Sequence, residues 1–393
     1  MFVAIFLTAA LAQIRDAPQQ KTTLPNGVVL YTEQMPRASG FTLHLFVSTL
    51  GHAEPEGEEG HRHFLEHLVA KGRNRDIDAR LEVRGLTLTA DTLRDGIRFE
   101  IEGAPGEFNS AVQAMMELVA GAEEENGVLA NLADELVAKE IAIVDQELAV
   151  RTAPKMLTAA LWTHAYGNQA TDPYGTPEGR ASVNADALKA AYMSSFKSTS
   201  MTVVAAGKID AATAIETLKA AFSGLEAADP AEPSQREPGE PVGELYVQNV
   251  PGSGRAAFVG SLAEPDTIAV LAAALAIQSD VPGSAAIYTP SPFAGLISVV
   301  HPRRNGFATV DRTVSRDAAR LFLTGRSAVI AWIDSIDARP REKARIYGQM
   351  LLLERGFQLN DLKVRAMRLD QASFTTALRK FHSAGCVRVG GMR

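Results

Sequence analysis

The sequence lacks the features that mark several common classes of protein. Its single cysteine, Cys386, cannot form a disulfide within the chain. The formal net charge is −7 and the basic residues form no block, so nucleic acid is not an expected partner. The apolar run from Phe2 to Ala12 is too short to span a bilayer, and no transmembrane segment is expected in the mature chain. With 393 residues, 46% of them hydrophobic, the chain can bury a large core, and we expect two domains.

The apolar N-terminal run has the form of a secretory signal. It ends in Ala10-Leu11-Ala12, and small residues at the first and third of these positions are typical of a signal-peptidase site. We therefore expect residues 1–12 to be a signal peptide and the protein to be exported, most simply to a bacterial periplasm. A cytoplasmic protein with an ordinary apolar N-terminus stays open as the alternative, because no Lys or Arg precedes the run.

A cluster of polar residues within one predicted helix points to metal chemistry. His63 and His67 are four residues apart, so they lie on one face of a helix, and Glu66 points to the same side. Two imidazoles can hold a divalent cation, and a nearby carboxylate can act as a base. The alternative is an exposed polar face that binds nothing. The apolar flanks of the motif favour a packed helix, on which such groups need partners.

A third ligand is available in the helical pattern of residues 131–152. This segment contains Glu140 and Glu147, which are about two turns and therefore about 10 Å apart along one helix face. A single metal ion cannot be bound by both carboxylates. One would be a ligand and the other a supporting group, unless both are solvated helix glutamates.

Regular patterns predict an α+β fold around this motif. Asn26-Gly27 is typical of a two-residue hairpin turn, and the alternation of residues 41–47 predicts a strand with His44 on its surface. Strands and helices in series suggest a mostly antiparallel sheet with helices packed on one face. Strands at residues 245–250 and 256–262, followed by a helix, repeat this order in the second half of the chain.

The division of the chain into domains follows from the same patterns. Four prolines among Glu and Ser make residues 227–243 a predicted linker. We expect a metal-bearing domain over residues 13–226 and a second domain of similar architecture, without the metal motif, over residues 244–393.

Several short motifs in order resemble one family of enzymes. The motifs are Leu24-Pro25-Asn26-Gly27, Gly60-x-x-His63-Phe64-Leu65-Glu66-His67, Lys71-Gly72, Ala90-x-Thr92, Glu140-x6-Glu147, Tyr174-Gly175-x-Pro177 and Val203-Val204-Ala205-Ala206-Gly207. In this order they resemble the pitrilysin, insulysin and mitochondrial processing peptidase family of zinc metallopeptidases, which use the reversed H-x-x-E-H motif.

The resemblance implies a role for each residue of the motif and also a class of substrate. It makes His63, His67 and Glu147 the ligands of one Zn²⁺ per chain, with Glu66 the general base and Glu140 a supporting carboxylate. It also implies a zinc-dependent endopeptidase that cleaves peptides or unfolded segments. A non-catalytic structural subunit of the same fold and a module that binds peptide or metal without turnover stay open as alternatives.

Two departures from the family pattern bear on substrate binding and assembly. The strand that receives substrate carries Asn-Ala-x-Thr in the family, whereas Thr89 precedes Ala90 here, so backbone pairing is retained and a side-chain contact is in doubt. In the second half, Tyr288 is a candidate substrate-binding residue, but Val281 replaces the arginine that the family has seven residues before it. An ordinary strand aromatic is the alternative for Tyr288. In the family two double-domain halves enclose the active site, and this chain is long enough for one of them. We therefore expect a heterodimer with a related subunit lacking H-x-x-E-H, or a homodimer.

Overall fold

Two β-sheets with helices on their faces form the protein. The structure is a computed structural model that describes residues 19–49, 54–120, 125–167, 172–229, 244–247, 252–260, 262, 264–291, 294–304, 306, 318–353, 360–382 and 386–391. The predicted signal peptide and residues 230–243 of the predicted linker lie outside this part. No helix within these ranges is long and apolar enough to cross a membrane.

The first sheet has six strands in the order β1-β2-β6-β3-β5-β4. Its strands are β1 (Gln19–Thr23), β2 (Val29–Gln34), β3 (Phe41–Ser48), β4 (Thr87–Leu93), β5 (Gly96–Gly103) and β6 (Met201–Gly207). Only β2 and β6 pair in parallel, and the other neighbours are antiparallel. The mostly antiparallel sheet predicted from the sequence is therefore confirmed, with β4 at its edge.

The predicted hairpin joins β1 to β2, but its turn differs from the expected one. Thr23 pairs with Val29, so the loop contains residues 24–28 and not two residues. The side-chain amide of Asn26 donates hydrogen bonds to the carbonyl oxygens of Phe222 (2.9 Å) and Leu225 (3.0 Å). This long-range contact holds the turn against a distant helix, which a local turn rule cannot anticipate.

Helices of the first half cover one face of the first sheet, except the helix Ala153–Tyr166, which packs on the second sheet. In chain order they are α1 (His61–Val69), α2 (Ile77–Glu82), α3 (Phe108–Glu117), α4 (Asp134–Ala149), α5 (Ala153–Tyr166), α6 (Pro177–Ser182), α7 (Ala185–Ser195) and α8 (Ala211–Phe222). A continuous cluster of buried apolar side chains joins α1, α3, α7 and α8 to the sheet. Their apolar residues recur at helical spacing, which is why the sequence alone predicts most of these elements.

The second sheet has five strands in the order β7-β11-β8-β10-β9. These strands are β7 (Glu244–Val247), β8 (Ser253–Val259), β9 (Ala285–Thr289), β10 (Gly295–His301) and β11 (Val387–Gly391). The helices of this half are α9 (Pro265–Asp280), α10 (Ala318–Asp337), α11 (Pro340–Leu353), α12 (Asn360–Arg368) and α13 (Gln371–Lys380). The repeated strand and helix order predicted for the second half is present, and the two similar α+β units are confirmed.

Each half of the chain also covers the sheet of the other half. Helix α11 packs on β3 and β6, on the face of the first sheet opposite α1, where the rings of Tyr31 and Tyr347 lie 4.2 Å apart. Helix α5 packs on β8, β10 and β11 of the second sheet. Helices thus lie on both faces of the first sheet, whereas the sequence predicted helices on one face only. Local patterns do not reveal the second layer, because α11 comes from a distant part of the sequence.

Because α11 covers this face of the first sheet, His44 does not lie at the protein surface as expected. The histidine lies on β3 as predicted, but it is fully buried beneath α11 and not at the protein surface. Its Nε2 atom lies 2.8 Å from the hydroxyl of Thr42 and 3.7 Å from Glu100.

Candidate metal centre and cleft

Helix α1 is held rigidly at its first residue by glycine packing. Gly60 precedes the helix with a φ of 103°, a left-handed conformation that favours glycine. It packs against Gly175 so closely that a Cβ on Gly175 would collide with the carbonyl oxygen of Glu59. The backbone N–H of Thr176 donates to that same oxygen over 3.3 Å. The motifs around Gly60 and Gly175 therefore meet in space, although they are more than 100 residues apart.

The other end of α1 is also fixed. The side-chain amide of Asn131 donates hydrogen bonds to the carbonyl oxygens of Leu68 (3.2 Å) and Gly72 (2.8 Å). Phe64, Leu65 and Leu68 are fully buried between these two ends. Buried apolar residues and capped carbonyls leave α1 little freedom to rotate, so its polar face has a defined direction.

Three potential metal ligands converge on this polar face. The Nε2 atoms of His63 and His67 each lie 3.5 Å from a carboxylate oxygen of Glu147. One ligand atom from each of the three residues lies within 4.8 Å of the others. Two imidazole nitrogens and a carboxylate oxygen can hold a divalent transition metal and leave one position open for water.

Glu140 occupies a different place from Glu147. It is almost fully buried, and its Oε2 atom lies 3.3 Å from Nδ1 of His67, on the side of the ring away from the ligand cluster. The hydrogen bond from His67 lowers the pKa of Glu140. A carboxylate on the second nitrogen of a ligating histidine is a common supporting arrangement. The ligand and supporting roles remain predictions, but the structure separates two carboxylates that the spacing alone left equivalent.

The carboxyl group of Glu66 lies beside the cluster and is only 7% exposed. Its Oε2 atom accepts a hydrogen bond from the hydroxyl of Thr92 (3.1 Å) and lies 3.9 Å from Nε2 of His63. Burial raises the pKa of Glu66 to about 7. A carboxyl group with a pKa in this range can accept and return a proton near neutral pH.

The pKa values of the two histidines are shifted in opposite directions. Burial and the neighbouring His67 lower the pKa of His63 to about 3, so its imidazole is neutral and its nitrogens can act as metal ligands. For His67, burial lowers the pKa, but the hydrogen bond to Glu140 and the charges of Glu66 and Glu147 outweigh it and raise the pKa. The carboxylates thus stabilise positive charge at His67, where a cation would be bound.

These residues open into a cleft of about 480 Å³ between the two halves of the chain. Residues from β4, α5 and β9 form its walls, and among them are Ala90, Thr92, Leu93, Thr158, Ala159 and Ile287. Thr89 is exposed and is not among the residues that line the cleft. Because neighbouring residues of a strand point to opposite faces, Ile287 faces the cleft, whereas the adjacent Tyr288 packs against the helices of the second half. The structure therefore does not bring Tyr288 to the histidines of its own chain.

Sequence comparison places this site in a known family. A family model described as Insulinase (Peptidase family M16) matches residues 29–174, and one described as Peptidase M16 inactive domain matches residues 182–269. The chain belongs to peptidase family M16. The first match contains the H-x-x-E-H motif and Glu147, so the predicted family is confirmed.

Curated M16 relatives match part of the chain. The chain is 24% identical over 208 residues to mitochondrial-processing peptidase subunit beta of Lentinula edodes, and 23% identical over 212 residues to an uncharacterized zinc protease of Streptomyces coelicolor. Each match covers 52% of this chain and 44% of the relative. The matched segment thus spans less than half the length of these relatives.

Solved M16 structures match nearly the whole chain. A protease from Helicobacter pylori superposes with a TM-score of 0.80 at 15% identity, covering 96% of this chain and all of the other. A putative M16-like peptidase from Alicyclobacillus acidocaldarius gives 0.75 at 16% identity, with 96% and 98% covered. A structure of complex III2 from Candida albicans with Inz-5 bound gives 0.75 at 13% identity, with 95% of each chain covered. At these identities the likeness establishes the fold alone.

Sequence reasoning assigned no role to a group of residues behind His63. The ring of Tyr174 packs edge-to-face on the ring of His63, with centroids 4.9 Å apart. The guanidinium of Arg151 lies 4.3 Å above the Tyr174 ring and donates two hydrogen bonds to Asp172. Tyr174 belongs to a motif of the M16 resemblance, and Arg151 follows Glu147 by four residues, just beyond the end of α4. The motif that contains Tyr174 and the position of Arg151 after Glu147 are both visible in the sequence, but neither indicates a contact with His63.

Proposed function

We propose that the chain is a zinc-dependent endopeptidase subunit that hydrolyses peptides or unfolded polypeptide segments. The observation that carries this proposal is the convergence of both Nε2 atoms on Glu147, with the buried Glu66 beside them in an open cleft. Membership of peptidase family M16 supports hydrolysis of peptide bonds. The description of a relative as a zinc protease supports zinc as the metal.

The donor set fits a catalytic zinc ion. His63, His67 and Glu147 would hold it, since two imidazoles and one carboxylate are a known ligand set for hydrolytic zinc. When bound, zinc supplies Lewis acidity, which makes water more acidic and polarises a carbonyl group. Glu140 would orient His67 through Nδ1, and Tyr174 would limit the rotation of His63.

Glu66 would move the proton in this reaction. Its buried carboxylate would accept a proton from the attacking water and then donate it to the leaving amine. The hydroxyl of Thr92 holds one oxygen of Glu66, which restricts the orientation of the carboxylate beside the ligand cluster. This division of roles predicts that metal binding and hydrolysis can be separated by mutation.

The edge strand β4 is suited to hold the substrate. Within the described residues it pairs with β5 on one side, and its residues Ala90 to Leu93 line the cleft beside Glu66. An extended peptide could pair with the other side of β4 through its backbone and bring a carbonyl group to the site. Such pairing needs no side chain from Thr89, which is consistent with its position outside the cleft.

Metal analysis and peptide hydrolysis of Glu66→Gln test this function. The variant should retain about one zinc per chain and lose hydrolysis, because the ligands are intact and the base is gone. Glu82→Gln, which alters an exposed carboxylate on α2, is the matched control and should behave as wild type. Equal hydrolysis by wild type and Glu66→Gln would show that Glu66 is not the base.

A non-catalytic subunit of the same fold is the second candidate. It is favoured by the match of residues 182–269 to a family model described as Peptidase M16 inactive domain. It predicts a metal-loaded wild-type chain that hydrolyses no peptide, alone or with a partner. The intact constellation around Glu66 supports the catalytic alternative.

We further propose that the chain acts as the metal-bearing subunit of a dimer. Several relatives are described as a subunit, and Tyr288 does not reach the cleft of its own chain. A partner could complete a cleft that is open to solvent and hold the substrate in register. Size-exclusion chromatography and peptide assays, with the chain alone and mixed with a related chain lacking H-x-x-E-H, test this assembly. Full activity from a monomer would contradict it.

A further inference from the structure

One wall of the cleft carries three basic side chains away from the metal ligands. We call Arg94, Arg151 and Lys155 the cationic wall, since all three line the cleft. Arg94 follows the last residue of β4, Arg151 lies between α4 and α5, and Lys155 is in the first turn of α5. The N-terminus of α5 points its positive dipole end to the same wall. The proposed hydrolysis uses none of these charges.

The acidic residues of the cleft are engaged elsewhere. Glu147 faces the two histidines, and Asp91 forms an ion pair with Arg98, which lies outside the cleft. Glu66 accepts the hydrogen bond of Thr92. A bound divalent cation would cancel further negative charge at Glu147. The carboxylates that line the cleft therefore do little to neutralise the cationic wall.

The three basic residues differ in how far their charge is balanced. Arg151 is paired with Asp172 through two hydrogen bonds. The guanidinium of Arg94 lies 4.3 Å from the ring centroid of Trp162, and burial lowers its pKa to about 10, although Asp172 and Asp95 oppose that change. Lys155 is exposed and forms no ion pair with any residue that the structure describes. Positive charge is thus in excess near Lys155, where an anion would be stabilised.

We propose that the cationic wall binds an acidic side chain of the peptide substrate, so that the protein prefers peptides with Asp or Glu close to the cleaved bond. This inference rests on the proposed peptidase function. The distance is suitable because Arg94 follows Thr92, the partner of Glu66, by two residues, or about 7 Å along an extended strand. The acidic residue should therefore lie within about three residues of the cleaved bond.

A peptide series with one varied position measures this preference. Glu, Gln or Lys is placed in turn at each of the four positions on either side of the cleaved bond, and kcat/KM is determined. We expect at least one position at which Glu is preferred over Gln by about fivefold, as for a favourable exposed ion pair, and over Lys by more. High salt should reduce this ratio, because the charge of Lys155 is open to solvent.

Substitutions that change the charge of Lys155 test whether the preference for acidic peptides arises from the cationic wall. Lys155→Gln should reduce the ratio of Glu to Gln, and Lys155→Glu should reverse the order of Glu and Lys. Lys139→Gln removes an equal charge from an exposed position of α4 outside the cleft and should leave the ratios unchanged. Since Lys155 is exposed, its replacement should not disturb folding, which circular dichroism checks.

Binding without turnover separates this inference from the proposed function. Fluorescence anisotropy of the same peptides with Glu66→Gln should give the same order, with Glu tightest and Lys weakest. Charge-selective binding without hydrolysis by wild type would remove the proposed function and leave the binding of acidic peptides by the cationic wall. Equal binding of Glu and Lys peptides, or Lys155→Glu with unchanged selectivity, would overturn the inference even if all peptides are cleaved.

Discussion

The Nδ1 atom of His67 lies 3.3 Å from Oε2 of Glu140, while its Nε2 atom lies 3.5 Å from Oε1 of Glu147. The imidazole therefore stands between two carboxylates from one helix. Because they contact opposite sides of the ring, the two glutamates can have different roles despite their equal chemistry. One faces the position of a metal ion, and the other holds the ring from behind.

Substitution of these two glutamates should have different effects on metal binding. Glu147→Gln should lose the metal, because it removes a charged ligand, whereas Glu140→Gln should keep it with an affinity about 10- to 100-fold lower. Titration of the metal-free variants with zinc, followed by metal analysis after dialysis, measures both. Equal zinc retention by the two variants would place the third ligand at another residue.

The hydrogen bond from Thr92 to Glu66 should matter for turnover. Thr92→Val keeps the shape of the side chain and removes the donor, so kcat should fall about tenfold as the base loses its orientation. Thr92→Ser should restore most of the activity. Thr89→Val is the matched control on the same strand and should be silent, because Thr89 lies outside the cleft. A larger effect at Thr89 than at Thr92 would indicate a side-chain contact with substrate instead.

The glycine contact at the start of α1 should be essential for stability. Gly175→Ala places a Cβ against the carbonyl oxygen of Glu59 and forces a residue with a φ of 66° out of its conformation, so we expect a loss of about 3 kcal/mol or more. Gly167→Ala is the control. It has a similar φ of 57° but open space around it, and it should cost only about 1 kcal/mol. Urea unfolding compares the two, and equal losses would mean that the close approach is unimportant.

The buried His44 should make stability depend on pH. Burial, together with Arg98, Arg341 and Arg345, lowers the pKa of His44 well below its usual value, although Glu100 lies nearby. Below about pH 6.5 the unfolded chain therefore binds a proton at His44 that the folded chain does not, and stability falls as the pH falls. Between pH 7 and 5.5 this effect amounts to about 1 kcal/mol.

His44→Gln tests that pH dependence because it keeps a polar group near Thr42 and removes the titration. Urea unfolding at the two pH values, with a chelator present, should show a smaller loss for the variant than for wild type. Since the other titrating groups are common to both proteins, the difference belongs to His44. Identical pH dependence would mean that His44 titrates normally in the folded chain.

The sequence determined the features that depend on short spacings. His63, Glu66 and His67 share a face because the α-helical repeat brings residues three and four apart together. The alternation around His44 predicted its strand, and the strands and helices in series predicted the α+β class. These are local consequences of backbone geometry, so they survive without knowledge of the rest of the chain.

Only the tertiary structure decided the features that depend on distant contacts. It directed Glu147 and not Glu140 to the Nε2 atoms, placed Tyr174 against His63, and turned Tyr288 away from the cleft. It also buried His44 beneath α11, a helix some 300 residues further along the chain. Each outcome depends on how one helix or strand packs on another. The periodic spacing of apolar residues along the sequence contains no information about that packing.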